Sequence, residues 1–333
     1  MASCLSAAAV DGLLVQWGDR LFYPGNRIGP ATQTPRLTLP AQSHAAEIRQ
    51  RIEAAVMRRA PQVMVKVSGG GRGMGAIAAH FLYISKAGRL AFEDDRGVVR
   101  QGREALHDLA EQWRYGGSLI EQSSPRREAC NLVLGMPRGT DPQAVLQAAR
   151  EFARIELKDH RHVMALHIHQ EHPHVHLCVR VESMTGHRLS RHKPDLIRWR
   201  QTFAERLRGL GVDAEATRQA TRIESRRSEQ LWQRQARKMG QLRVEPKAEK
   251  SGELLQRSRV DAMLAWAHIT QALEASELPE DRQLAQHIRR FVLDSSYVRS
   301  HLRTRQQEVP VSRDRGEVSR SSSRERPGPE ITR

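Results

Sequence analysis

The sequence predicts an α+β fold, an antiparallel sheet flanked by helices and followed by a helical basic extension. Three observations predict it. Strand-like apolar segments fall at 63–67, 129–135, 162–169 and 174–181, separated by helical periodicity, in the order β-α-α-β-α-β-β-α. The last two are joined only by Gln170-Glu171-His172-Pro173, a hairpin-length link that makes them antiparallel. Each is apolar along one face, so the sheet can rest on a core there.

The elements follow in order. Residues 1–42 hold Pro24, Gly25, Gly29, Pro30 and Pro40 and read as an irregular arm. A helix starts at Ser43, which can cap it, carries Ile48, Ile52, Ala55 and Val56 on one stripe, and ends before Pro61. Val63, Val65 and Val67 alternate with Met64 and Lys66 as a strand, broken by the glycine run 68–75. That run fits neither a P-loop nor a dinucleotide fingerprint; it either brings backbone amides near a phosphate or is a plain flexible loop. A helix from about Ala76 to Lys86 is closed by Gly88. The acidic turn Glu93-Asp94-Asp95 precedes a helix near Arg103–Trp113. After the strand 129–135, Asp141 and Pro142 supply a cap and a first-turn proline for a helix to about Leu157. Beyond the two paired strands, Pro194 opens a helix through Leu207, stopped by Gly209 and Gly211. From about Glu215 the chain reads as mostly helical and polar, with ten Lys+Arg against five Glu between 215 and 250. A more apolar helix spans Val260–Leu273, and from Val309 the composition is that of a disordered tail.

The 333 residues suffice for a buried core in one or two domains. Lys+Arg number 54 against 38 Asp+Glu, a net charge of +16. That excess favours a polyanionic partner, nucleic acid first, over a merely basic solvated surface. No apolar run approaches the ~20 residues a membrane helix needs, so membrane insertion is not expected. Met1–Val10 lacks a basic stretch ahead of its apolar residues, so no secretory signal is expected. Cys4, Cys130 and Cys178 are odd in number and widely spaced, which suits neither a disulfide framework nor a zinc ribbon. A reducing cytoplasm is the expected compartment.

Histidine carries the strongest signal. Of the 15 histidines, five lie between His167 and His176. Strand alternation puts His167 and His169 on one face, and His174 and His176 on the matching face of the next strand. Paired, the four rings converge, and neutral imidazoles meeting this way make a metal site with open positions. A surface cluster of structural histidines is the alternative. A metal site could activate water or polarise a phosphate for another nucleophile. Tyr83, in His80-Phe81-Leu82-Tyr83-Ile84-Ser85-Lys86, can face a sheet-borne metal while Ile77 and Ile84 pack inward; the competing reading makes it an amphipathic core residue.

These segments resemble the motifs of conjugative relaxases, HUH-type endonucleases that nick DNA at an origin of transfer. Pro173-His174-Val175-His176-Leu177-Cys178-Val179-Arg180 resembles their third motif, and Leu82-Tyr83-Ile84-Ser85-Lys86-Ala87-Gly88 their nucleophile motif. The acidic turn at 93–95, Gly186–Arg191 and Arg198–Gly211 are similar to the mobilisation relaxases related to the T-DNA nickase. The resemblance covers about 62–225 and implies an HUH fold. It implies a nuclease domain at 61–225, after an arm and helix at 1–60 and before a helical basic region at 226–305 and an arginine- and serine-rich tail at 306–333.

The resemblance implies that Tyr83 attacks the scissile phosphate and becomes joined to the 5′ end of the cut strand. It implies a divalent metal (Mn, Mg or Zn) on His174 and His176, with His167 as the third ligand. Many relatives carry Asp where this chain has His169, which either ligates or assists deprotonation of Tyr83. A free tyrosine has a pKa near 10 and needs such help. Arg72, Lys86, Tyr115, Ser118, Arg188, Arg191 and Arg198 are candidate DNA contacts. The implied partners are origin-of-transfer DNA, single-stranded at the nick and duplex nearby, a relaxosome accessory protein and a type IV coupling protein. The implied setting is the bacterial cytoplasm, with passage to a recipient cell on the attached strand and the tail as a candidate secretion signal. Relatives often begin near the first strand, whereas about sixty residues precede it here, either an added arm or an upstream start. The rival readings are a rolling-circle replication initiator, a non-catalytic zinc-containing DNA-binding protein, and a metallohydrolase acting through bound water.

Overall fold

The alternating segments assemble into a six-stranded antiparallel sheet, and the fold is α+β as the pattern predicts. The structure is a computed structural model and describes residues 5–23, 41–224, 236–241 and 252–299. Its strands are β1 (Met64–Gly69), β2 (Phe92–Asp94), β3 (Val99–Arg100), β4 (Ala129–Gly135), β5 (His162–His167) and β6 (His174–Arg180), in spatial order β1-β4-β6-β5-β2-β3. The helices are α1 (Ala7–Phe22), α2 (Ala41–Val56), α3 (Met74–Ile84), α4 (Arg103–Tyr115), α5 (Pro142–Glu156), α6 (Lys193–Gly209), α7 (Glu253–Glu274) and α8 (Pro279–Asp294).

Strand alternation divides the side chains between two cores. Met164, Val175, Leu177 and Val179 point to one face, where Val145, Ala149 and Phe152 of α5 and Trp199, Phe203 and Leu207 of α6 cover them. Val163, Ala165 and Cys178 point to the other, under Ile77, Phe81 and Ile84 of α3 and Leu106, Leu109 and Trp113 of α4. Strand β6 is buried at every residue because it has a strand on each side and a helical layer over each face. The β5/β6 register sets His167 opposite His174 and Ala165 opposite His176. One-residue slippage would send the histidines into the α5/α6 core, so the apolar alternation fixes their face.

A third core joins the two ends of the chain. Val10 and Leu14 of α1 and Ile48 and Ile52 of α2 pack with Trp266 and Ile269 of α7 and Leu284 and Ile288 of α8. The irregular arm expected at 1–42 therefore needs correction, since 7–22 is helical. Its apolar stripe finds partners only in distant segments, and Gly18 lets Ile48 approach to where a Cβ would lie 2.5 Å from Cγ2. Glu215 ties this helical unit to the sheet. It is 1% exposed, accepts from Arg51 Nη2 at 3.3 Å, and has Arg208 Nη1 3.6 Å from its other oxygen. Its backbone bonds to Val63 and Pro61.

Other expectations change with packing. The acidic turn at 93–95 lies in a short hairpin, because β2 pairs with both β3 and β5. Residues 215–224 form turns rather than helix, crossing from α6 to the helical unit, where Ile223 is buried and Thr221 Oγ1 donates to Leu21 O. The glycine run is not a free loop. The Met74 and Gly75 amides bond to Glu121 and Gln122, and a Cβ on Gly70 would sit 2.2 Å from the Ala129 oxygen. The tail at 306–333 and residues 226–235, 242–251 and 300–305 of the basic region lie outside the described residues. No described helix is long and apolar enough to cross a membrane.

The loop after α4 is organised by one buried cation. Arg180 donates to the carbonyls of Trp113 and Gly116 at 2.9 and 3.1 Å, to the Ser118 carbonyl, and to Ser118 Oγ at 3.0 Å. Arg180→Ala leaves these carbonyls without their donor in a buried setting. It is expected to lower stability by about 2–4 kcal/mol in urea unfolding. Arg180→Lys, which cannot fork across the same acceptors, recovers less than half of that loss.

Candidate active site

Helix α3 presents Tyr83 by stopping just beyond it. Ile77, Phe81 and Ile84 face the core, while Tyr83 lies on the opposite side and is 63% exposed. Lys86, Ala87 and Gly88 then enter the left-handed region, with φ of 50°, 58° and 84°. For Lys86 and Ala87 this costs about 1 kcal/mol each. The turn is held by Ala87 N donating to Leu82 O at 2.7 Å and Ser85 Oγ donating to Phe81 O at 2.7 Å. Gly88 has no tolerated substitute, as a Cβ would meet the Gly102 carbonyl carbon at 2.7 Å. A helix end exposes carbonyls that need donors. His167 Nε2 donates to Ile84 O at 2.6 Å.

The rings of His167, His174 and His176 converge below this helix end. One nitrogen from each lies within 4.8 Å of the other two, and all three residues are buried. Their second nitrogens fix which atoms face the centre. His167 spends Nε2 on Ile84 O, which leaves the Nδ1 lone pair free. His174 Nδ1 donates to His172 O at 2.8 Å, which leaves Nε2. His176 has its Nδ1 buried without a partner. Three imidazoles, two with the inward nitrogen already set, suit a divalent transition metal with positions left open. The Tyr83 ring stands edge-on to His176, with centroids 5.6 Å apart at 87°.

Desolvation disfavours charge on His167, His169 and His176. It pushes His176 down to about 3, with the neighbouring His167, His174 and His80 adding to the effect. It also lowers His167, against the bond to Ile84. His169 is lowered by desolvation and by Lys86 and His174. Neutral rings are the form a metal requires.

The structure sorts the sequence candidates. Strand β5 ends at His167, so His169 does not continue the strand face as expected. It is exposed in the link, its ring 5.0 Å from that of His167 and 6.4 Å from that of His174, outside the tight group. Lys86 joins the centre, close enough to depress His167 and His169. Arg72 is exposed before the far end of α3. Tyr115 is exposed and Ser118 is held by Arg180 at the other end of β6, about 20 Å from His174 at ~3.3 Å per residue. Arg188 donates to Arg127 O at 2.7 Å, and Arg191 lies against Cys130. Arg198 pairs with Glu156 and Asp195, on the sheet face opposite the histidines. A cleft lined by Asp94, Arg150, Arg161 and His162 opens at the start of β5 and shares no residue with the triad. The sequence reading missed His80, whose ring stacks on Tyr83 with centroids 5.8 Å apart. Its place one turn before Tyr83 was the available signal.

Comparison with known proteins agrees with this geometry. Residues 90–211 match the family described as "Relaxase: MobA/VirD2-like, nuclease domain". That span contains the histidine triad and begins after Tyr83. The T-DNA border endonuclease VirD2 of Agrobacterium fabrum is 25% identical over 175 residues, 46% of this chain and 39% of that protein. The protein of the same name from Rhizobium radiobacter is 24% identical over 181 residues, 48% and 43% of the two chains. The alignments thus span about two fifths of these relatives' length. A solved structure titled "Molecular Basis of Vancomycin Resistance Transfer in Staphylococcus aureus" aligns with 48% of this chain and 99% of its own at 16% identity. Its TM-score of 0.30 gives it no weight for the fold. Residues 90–211 are thus similar to the MobA/VirD2-like relaxase nuclease domain.

The depressed histidines set a pH dependence. Unfolded, these rings take up protons near 6.5; folded, His176 does so only near 3 and His80 near 4. Between those limits the unfolded chain holds more protons, so stability falls as pH drops from about 6.5 toward 4. The melting temperature of the chelator-treated protein is expected to fall across that window. His176→Asn should show a shallower fall in the same scan, and an unchanged slope would contradict the assignment.

Proposed function

We propose that this chain nicks one DNA strand at an origin of transfer by tyrosine transesterification, starting conjugative transfer. The observation that carries the reading is the exposed phenol of Tyr83 set edge-on to His176 in a convergent histidine triad. The match of residues 90–211 to a relaxase nuclease domain supports the same substrate class. The net charge of +16 supports a polyanionic one.

In this reading the Tyr83 oxygen attacks the scissile phosphorus and the bond to the 3′ oxygen breaks. The products are a 5′-phosphotyrosyl link and a free 3′ hydroxyl. A ring nitrogen of His169, outside the triad and held neutral beside Lys86, receives the phenolic proton. His169 then returns it to the 3′ oxygen. Lys86 adds positive charge where phosphate negative charge must be accommodated. His167 Nδ1, His174 Nε2 and His176 would hold a divalent ion, whose chemistry when bound is to polarise a non-bridging phosphate oxygen. Histidine donors suit manganese or zinc better than magnesium. The phosphotyrosyl product conserves the energy of the broken bond, so religation needs no ATP.

The nuclease unit in this reading is residues 61–225. Arg72, Tyr115, Ser118, Arg188, Arg191 and Arg198 lie away from the triad, so any part they play is in holding DNA several nucleotides from the nick. A relaxosome accessory protein and a type IV coupling protein are the proposed partners, with the bacterial cytoplasm as the site of action and the recipient cell as destination.

Two variants test the reading on oligonucleotides from the element's origin region. Tyr83→Phe should lower single-turnover nicking by about 1,000-fold or more while changing DNA affinity less than about threefold. His174→Ala should weaken Mn²⁺ binding by more than about 100-fold, measured calorimetrically. Full nicking by Tyr83→Phe would overturn the transesterase and leave hydrolysis through bound water.

A further inference from the structure

The Tyr83 ring touches two histidines. Its face stacks on His80, with centroids 5.8 Å apart and planes 24° apart. Its edge contact is His176, at 5.6 Å and 87°. His80 is half-buried, one helical turn before Tyr83. Each of these two histidines has one ring nitrogen that is fully buried and unpartnered, His80 Nε2 and His176 Nδ1. Buried polar atoms are rarely left in that state.

The two orphans have complementary chemistry. Histidines that ligate a metal almost always hand their second ring N–H to an acceptor, which orients the ring and sets its tautomer. His167 and His174 already do so, to the carbonyls of Ile84 and His172. His176 alone of the three does not. With Nε2 turned to the centre, its Nδ1 carries the proton and needs an acceptor. A neutral imidazole has one nitrogen lone pair to offer, and the buried Nε2 of His80 has no donor facing it.

We infer that His80 is a positioning residue for the proposed metal centre, its Nε2 accepting the Nδ1–H of His176 through one bridging water. The inference rests on the proposed metal-binding role of the triad. It makes α3 support the centre twice, through Ile84 O on His167 and through His80 on His176. Both supports flank the residue proposed to attack DNA, so metal binding and the placing of Tyr83 become linked.

The test titrates the full-length, chelator-treated protein with Mn²⁺ alone. His80→Phe keeps an aromatic ring and removes the acceptor; His80→Gln removes the ring and keeps an acceptor oxygen. His80→Phe should weaken Mn²⁺ binding 10- to 100-fold, the usual effect of losing such a partner, and His80→Gln should restore most of it. A purely structural ring would give the opposite order. If His80→Phe does not fold, His80→Leu takes its place in the comparison. Binding by His80→Phe at wild-type strength, while His174→Ala abolishes it, overturns this inference and leaves the triad standing. Binding unaffected by His174→Ala overturns the triad reading and this inference with it.

Discussion

The hydrogen bond from His167 Nε2 to the Ile84 carbonyl joins a strand end to a helix end, and the geometry of the centre depends on it. Helix α3 could not offer that carbonyl if it ran on. It stops because Lys86, Ala87 and Gly88 turn left-handed, a conformation two of the three adopt only at a cost. One backbone event therefore does three things. It exposes the Tyr83 face of the last turn, frees an acceptor for His167, and leaves Lys86 beside the histidines. The His167 tautomer follows, and with it the nitrogen that faces inward.

The sheet supplies the other half of the constraint. β5 and β6 are buried on one face by α5 and α6, so their opposite residues are committed to the face under α3. Polar histidines are accommodated there because backbone carbonyls take two of their ring N–H groups. The same burial that endangers them as charges makes them good neutral ligands. The helical unit lies outside this chemistry. It is fastened by a carboxylate, Glu215, set between Arg51 and Arg208. Removing either side of such a buried set strands a charge, so the link resists separation.

Legibility in the sequence followed the range of the interactions. The four main strands, their antiparallel hairpin and the face shared by His167, His174 and His176 were readable because period-2 alternation is local. Tyr83 was readable from its place after the first strand and glycine run. Helix α1 was not, because Val10, Leu14 and Leu21 form a stripe whose partners sit in α2 and α7. The departure of His169 from the strand face was also hidden, since the strand ends at His167 although the alternation continues. The glycine run showed only its freedom; its tight packing on β4 and on residues 121–122 is tertiary. His80 escaped because its one signal, a place one turn before Tyr83, carries no weight until the neighbour at its face is known.

Covalent capture with site mapping tests the central claim most directly. The full-length protein would be incubated with Mn²⁺ and origin-region oligonucleotides labelled at the 3′ end, denatured, digested and mapped by mass spectrometry. The account predicts one DNA-linked peptide, modified on Tyr83, with the label retained on the protein-bound fragment. Modification on any other residue, or cleavage that leaves no protein-bound DNA, would contradict it.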